Sequence, residues 1–214
     1  MKFYCSAILF DNDGVLVDSH QAAKAAWDIW AKQYSPGYDL DKANNAGRRA
    51  EDMVRELVSA SLFEEANNRI NDLELETAHM TVALNGAKEL LLSLPSNSWT
   101  VCTSGNRNLG TARLLAAGLI VPEQLVTGDD VSRGKPFPDP YLLGAKKLGF
   151  EPSDCVVFED ADAGVEAALA AEVGLVIGVG KRALKTNADL VVKDLTGISF
   201  DGEEIVISDK NRLR

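Results

Sequence analysis

The sequence predicts an α/β protein whose doubly wound parallel sheet is interrupted early by a block of helices. Three observations carry this prediction. From Asn85 onward, short apolar runs alternate with stretches of helical period, and strands separated by helices imply parallel pairing. Acids, hydroxyls and a lysine follow those runs, at the edge where open α/β sheets bind ligands. Between Ser19 and about Val82 the pattern is helical, with no convincing strand.

At 214 residues the chain can bury a sizeable core. Its 46% hydrophobic and 25% charged residues exclude disordered and collagen-like classes. The net charge of -10 argues against nucleic acid or a membrane surface as partner, because both want a basic face. An anionic substrate would therefore need cations gathered locally. Met1 to Ser6 runs straight into the first strand and leaves no room for a signal peptide, and no apolar segment approaches a membrane span. Cys5, Cys102 and Cys155 lie in or beside apolar runs without metal-type spacing, as core thiols of a reducing compartment do. A cytoplasmic location follows as the expectation, with a monomer favoured.

The run Ala7–Phe10 is short for a helix and right for a buried strand, and it stops at Asp11-Asn12-Asp13-Gly14. Alternation sends the side chains of Asp11 and Asp13 the same way. The same four residues also favour a turn, so this segment alone reads equally as a turn or as a metal or catalytic site. His20–Tyr34 places Ala23, Ala26, Trp27 and Trp30 at helical spacing, with Ser19 as N-cap and Ser35-Pro36-Gly37 as the stop. Residues 44–47 read as a loop, and 48–62 and 63–80 as further helices.

Beyond the block, residues 87–94 read as a helix, 99–102 as a strand, 106–117 as a helix stopped by Gly118, and 124–126 as a short strand. Asp139–Leu148 is helical, 155–158 a strand, 163–171 a helix and 174–177 a strand. Residues 188–192 add a further strand, and Glu204–Ile207 an edge strand.

Polar chemistry follows each strand. Thr103-Ser104-Gly105-Asn106 opens a helix, where free N–H groups suit an oxyanion and where Thr, Ser and Asn also make ordinary caps. Lys135 sits in the proline-stiffened loop Gly134-Lys135-Pro136-Phe137-Pro138, either as a surface lysine or as the counter-charge to nearby acids. Glu159 and Asp160 end the apolar run Val156-Val157-Phe158 without a spacer, so they read as a second acid pair beside the first. A hard oxygen-ligand cation such as Mg²⁺ would need such a group of carboxylates.

In this order, Asp11-Asn12-Asp13-Gly14-Val15, Thr103, Lys135 and Glu159-Asp160 resemble the four motifs of the haloacid dehalogenase-like hydrolases. Longer phrases, among them Thr103-Ser104-Gly105-Asn106-Arg107, Pro140-Tyr141-Leu142 and the stretch from Gly47 to Asp52, are similar to the sugar-phosphate and glycerol-3-phosphate phosphatases of the small helical-cap branch. The resemblance implies a Rossmann-like core of residues 1–17 and 83–214 and a helical cap of residues 18–82. It implies a Mg²⁺-dependent phosphatase of small phosphorylated metabolites that works through an aspartyl-phosphate.

By the same resemblance, Asp11 is the nucleophile and Asp13 the proton carrier. Asp11, the backbone carbonyl of Asp13 and Asp160 would hold the metal, with Glu159 in support. Phosphate oxygens would be held by Thr103, the backbone around Asn12, Ser104 and Gly105, and Lys135. Arg48 and Arg49 are the cap cations that could reach an anionic substrate, and equally a solvated helix start.

The departures are informative. Asn12 replaces an apolar residue between the acids, and Ala23 stands where related phosphoglucomutases carry a histidine, which argues for a hydrolase. Asp13 separates the chain from true dehalogenases, and none of Lys24, Lys32 and Lys42 stands out as a phosphonatase lysine. A sugar-phosphate mutase and an idle phosphometabolite-binding protein remain as alternatives.

Overall fold

The computed structural model describes residues 1–43 and 45–214; of the expected loop 44–47, Asn44 lies outside the described residues. Its centre is a parallel five-stranded sheet in the order β5(Trp99–Val101), β2(Ala7–Phe10), β6(Cys155–Glu159), β7(Leu175–Val179) and β8(Leu190–Val192). Parallel strands covered on both faces read as continuous apolar runs. β2 is accordingly buried at every position, and so is β6, down to its final glutamate.

Strand alternation divides the core. Ile8, Phe10, Val156 and Phe158 pack on one face, with Phe10 and Phe158 stacked at 5.2 Å between ring centroids. Ala7, Leu9, Cys155 and Val157 pack on the other, beneath α6(Asp139–Leu148) and α7(Asp162–Ala170). The first face is covered by α4(Ala87–Ser93) and α5(Arg107–Ala116), through Ala87, Leu90, Leu91 and Leu114. Because all five strands run the same way, their carboxyl ends share one edge.

Between β2 and α4 the chain makes a short antiparallel ribbon of β3(Val17–Asp18) and β4(Val82–Ala83). Inside that ribbon lie α1(His20–Tyr34), α2(Ala50–Leu57) and α3(Phe63–Thr77). The block has its own apolar centre of Trp27, Trp30, Met53, Val54, Ile70 and Leu73. The Trp30 indole is satisfied by donating to the Ala66 carbonyl at 2.8 Å. This is the α/β core with an inserted helical cap that the sequence predicts.

Four differences have local causes. Ser19 makes no cap bond to α1, since its hydroxyl donates instead to Asp13. The helix expected over 48–62 shrinks to Ala50–Leu57, because Val58 turns extended and Ser59 and Ser61 bond each other. Residues 124–126 form only a single bridge, Val126 to Cys102. Glu204–Ile207, called β10, lies in a second, antiparallel sheet between β1(Lys2–Tyr4) and β9(Ile198–Phe200), a pairing of chain ends that no local pattern signals. Among the described residues, no helix is long and apolar enough to cross a membrane.

Candidate active site

The ends of β2 and β6, with the loop before α6, place four charged side chains together, Asp11, Lys135, Glu159 and Asp160. Lys135 is fully buried, and its Nζ lies 2.5 Å from Asp11 Oδ1 and 2.6 Å from Glu159 Oε1. Glu159 is saturated: Oε1 also accepts from the Tyr141 hydroxyl at 2.7 Å, and Oε2 accepts the backbone N–H groups of Asp160 and Ala161 at 2.9 and 3.2 Å. Asp160 accepts from Arg182 at 3.0 Å. Two glycines make this packing possible. A Cβ on Gly164 would collide with the Glu159 carboxylate, and Gly14, at φ +91°, leaves the space that the Asp160 carboxylate fills.

Charge follows from burial. Desolvation pushes the Asp11 carboxyl well above its usual range, against the pull of Lys135. Burial and the neighbouring Glu159 raise Asp160 to about 7, against Arg182. For Lys135, burial works to lower the ammonium, but Asp11 and Glu159 prevail and hold it above the ordinary lysine value. Oxygens of Asp11, Glu159 and Asp160 lie within 4.8 Å of one another. When ionised, the three carboxylates outnumber the two cations beside them, Lys135 and Arg182, and an all-oxygen donor set fits a small divalent cation such as Mg²⁺.

Over this floor is a cavity of about 770 Å³, roofed by α1, α2 and α3. Asp11, Asp13, Gly14 and Asp160 line it from below, with Ser104, Gly105 and Asn106 at one side. The structure thus brings together Asp11, Asp13, Lys135, Glu159, Asp160, Ser104 and Gly105. Thr103 is buried behind the lining, its Oγ1 accepting from the Gly105 amide at 3.1 Å. Ser104 spends its hydroxyl on the Gly47 carbonyl of the cap at 2.6 Å, which leaves its backbone for a ligand. Asn106 caps α5 through the Leu109 amide.

Asn12 does not line the cavity. Its side chain is fully buried with no partner among the described residues, while its carbonyl accepts the amides of the turn that follows, Val15 to Val17. Arg48 and Arg49 do line it, each already paired within the cap: Arg48 with Glu56, and Arg49 with Asp52 at 2.8 and 2.9 Å. Arg49 also reaches across to the Val131 carbonyl, packing over Gly134 of the lysine loop.

Sequence reasoning missed several lining residues. Arg113 of α5 and Glu74 of α3 form a buried pair at 3.2 Å, and Arg113 also meets Asp13 at 3.0 Å. Burial pushes the Glu74 carboxyl up while Arg113 pulls it down. Asn67 and Asn71 stand at i and i+4 on the cavity side of α3, and Asn106 donates to Asn71 at 3.2 Å. The periodicity of α3 carried a signal, because Asn67, Asn71 and Glu74 share one face.

Known proteins agree with this geometry. Residues 5–172 match the model of the haloacid dehalogenase-like hydrolases. The chain is 40% identical over 174 residues to Hexitol phosphatase A of Escherichia coli, covering 78% of this chain and 80% of that one. It is 31% identical to Glycerol-1-phosphate phosphohydrolase 2 of Saccharomyces cerevisiae, over 92% of this chain and 85% of the relative. A Beta-phosphoglucomutase of Bacillus subtilis is 27% identical, over 91% of this chain and 92% of its own. Among solved structures, a hydrolase from Pseudomonas syringae superposes with a TM-score of 0.80 at 28% identity, covering 89% of this chain and 94% of that one. With the site at the carboxyl edge of its sheet and a helical cap above, the chain belongs to the haloacid dehalogenase-like hydrolases, and it is an enzyme of that family.

Proposed function

We propose that this hydrolase is a Mg²⁺-dependent phosphatase of small sugar or polyol phosphate monoesters, working through an aspartyl-phosphate on Asp11. The observation that carries this reading is the buried Asp11–Lys135–Glu159 chain of contacts at the floor of a roofed cavity. Hexitol and glycerol phosphates are what the named phosphatase relatives imply as substrates, and three amides, Asn67, Asn71 and Asn106, line a cavity suited to hydroxyl groups. The buried free thiols Cys5, Cys102 and Cys155 suit a reducing, cytoplasmic location.

In the first step a carboxylate oxygen of Asp11 bonds to phosphorus, the phosphorus–ester oxygen bond breaks, and the leaving alkoxide takes a proton from Asp13. In the second, water attacks the aspartyl-phosphate and gives a proton to Asp13, and Asp11 is released as carboxylate. Lys135 holds Asp11 in place and offsets charge on the transferring group, while the backbone N–H of Ser104 seats a phosphate oxygen beside the turn that Thr103 and Gly105 hold. Asp11, Asp160 and the Asp13 carbonyl would hold Mg²⁺, which would supply Lewis-acid stabilisation of the phosphoryl oxygens. Glu159, with both oxygens bonded to protein, fits a supporting place behind them.

Residues 18–82 serve in this reading as a lid that divides from the core at the β3–β4 ribbon and excludes bulk water during the reaction. Ala23, on the cavity wall, offers no proton-carrying group where mutases have one, which favours hydrolysis over phosphoryl transfer between sugar positions. The test is phosphate release from a panel of sugar and polyol phosphates, with and without EDTA. Activity that survives EDTA, or that Asp11→Asn retains, rejects the mechanism. Isomer formation without phosphate release replaces it with the mutase reading.

A further inference from the structure

Arg113 has a place in the molecule that the reaction above does not use. It lies on α5, only 5% exposed, in a helix whose other buried positions are Leu109, Gly110 and Leu114. Its Nη1 donates to Asp13 Oδ1 at 3.0 Å and its Nη2 to Glu74 Oε1 at 3.2 Å, while its Nε is buried without a partner among the described residues. Ser19 donates to the same Oδ1 at 2.5 Å. Both donors therefore fall on one oxygen of Asp13, and among the described residues none donates to Oδ2. Burying an arginine and a glutamate carries a desolvation penalty that hydrophobic residues of similar size would avoid.

We propose that Arg113 is a positioning residue for Asp13, and that Glu74 holds Arg113 from the cap. A carboxylate with one oxygen fixed by two donors cannot rotate freely. Its other oxygen is then the one presented to the leaving group. Glu74 belongs to α3, so the clamp on Asp13 is complete only while α3 lies against α5. The inference rests on the reading of Asp13 as proton carrier, and it adds that the protonation step depends on a side chain that acts through Asp13.

The leaving group separates this role from a merely structural one. A polyol alkoxide needs a proton to depart, whereas nitrophenolate departs without one, so only the second half of the reaction depends on Asp13 when p-nitrophenyl phosphate is used. Rapid-mixing experiments on Arg113→Met and Glu74→Gln, each at full Mg²⁺, measure the two halves. For Arg113→Met, release of the first polyol should slow by about tenfold to hundredfold, since a misplaced general acid forfeits much of its contribution. The first nitrophenolate should appear as a burst within about threefold of the wild-type rate, followed by slow turnover. Glu74→Gln keeps the shape of the side chain, guards against a folding defect, and should show the same pattern at a smaller amplitude. A burst slowed as much as polyol release, in both variants, overturns the inference, as does unchanged polyol release. If the wild-type enzyme hydrolyses neither ester, the phosphatase reading fails, and this inference with it.

Discussion

The floor and the roof of the cavity are built on opposite terms. At the floor, Lys135 and Glu159 are completely buried, and their contacts come from β2, β6, α6 and the Lys135 loop. On the roof, Arg48, Arg49 and His20 are partly exposed and bonded mainly to neighbours within the cap, as His20 is to Asp41 at 2.9 Å. A charge fixed by several elements in a low dielectric keeps its geometry when the ligand changes. Side chains held by one exposed partner can be exchanged at little cost to the fold. The floor thus tolerates the least change and the roof the most, which is the division that the proposed function needs between chemistry and selectivity.

The strongest break of this contrast is at the floor. Asp11→Asn should lower kcat by about 10⁴-fold or more, as loss of a nucleophile does, while leaving the circular dichroism spectrum intact. Lys135→Met should lose activity and also stability, by roughly 3–5 kcal/mol in denaturant titration, because it leaves Asp11 and Glu159 buried without their counter-charge. A Lys135→Met protein as stable as wild type would show that the floor is not held by that pair. Gly164→Ala should act through Glu159 alone: the added methyl displaces its carboxylate, and overpacking of this kind costs about 1–3 kcal/mol.

If Mg²⁺ binds as proposed, metal and protons would compete for the same oxygens, which would give the floor a pH signature. Asp11 and Asp160 have folded-state pKa values above the ordinary carboxylate range, with Asp160 at about 7. Between the ordinary value and the raised one, the folded chain binds more protons than the unfolded chain, so metal-free stability falls as pH rises through that window. Mg²⁺ needs the deprotonated groups, and its stabilisation should grow in the same direction. Scanning fluorimetry should show saturating Mg²⁺ raising Tm by about 5 °C or more near pH 8, and by clearly less near pH 6. A shift equal at both pH values would place the bound metal away from these carboxylates.

The floor was also the legible half. Asp11, Asp13, Lys135, Glu159 and Asp160 each follow an apolar strand or stand in a stiffened loop, so chain order alone assembles them once the sheet is parallel. The roof was legible only as helices. Arg113 and Glu74 each sit on the apolar face of a helix, at Leu109/Arg113 and Ile70/Leu73/Glu74, but the sequence does not say that the two faces meet. Arg48 and Arg49 illustrate the converse, since their type suited an anion while Glu56 and Asp52, close along the same segment, had already taken them. Of the antiparallel sheet of β1, β9 and β10, Glu204–Ile207 was legible as a strand, but its pairing with both β1 and β9, which joins the two ends of the chain, was not.

The smallest effect belongs to the roof and tests whether it selects. Asn67 lines the cavity, and its Oδ1 is buried with no partner among the described residues, whereas Asn71 and Asn106 are bonded to each other. A neutral hydrogen bond to a substrate hydroxyl is worth about 0.5–1.5 kcal/mol. Asn67→Ala should therefore raise KM for a hexitol phosphate by about threefold to tenfold, with kcat little changed, since the bond forms equally in ground and transition state. With p-nitrophenyl phosphate, which has no hydroxyls to read, kcat/KM should be the same in variant and wild type. If both substrates lose equally, Asn67 supports the cap rather than the substrate, and selection must lie with the paired groups around it.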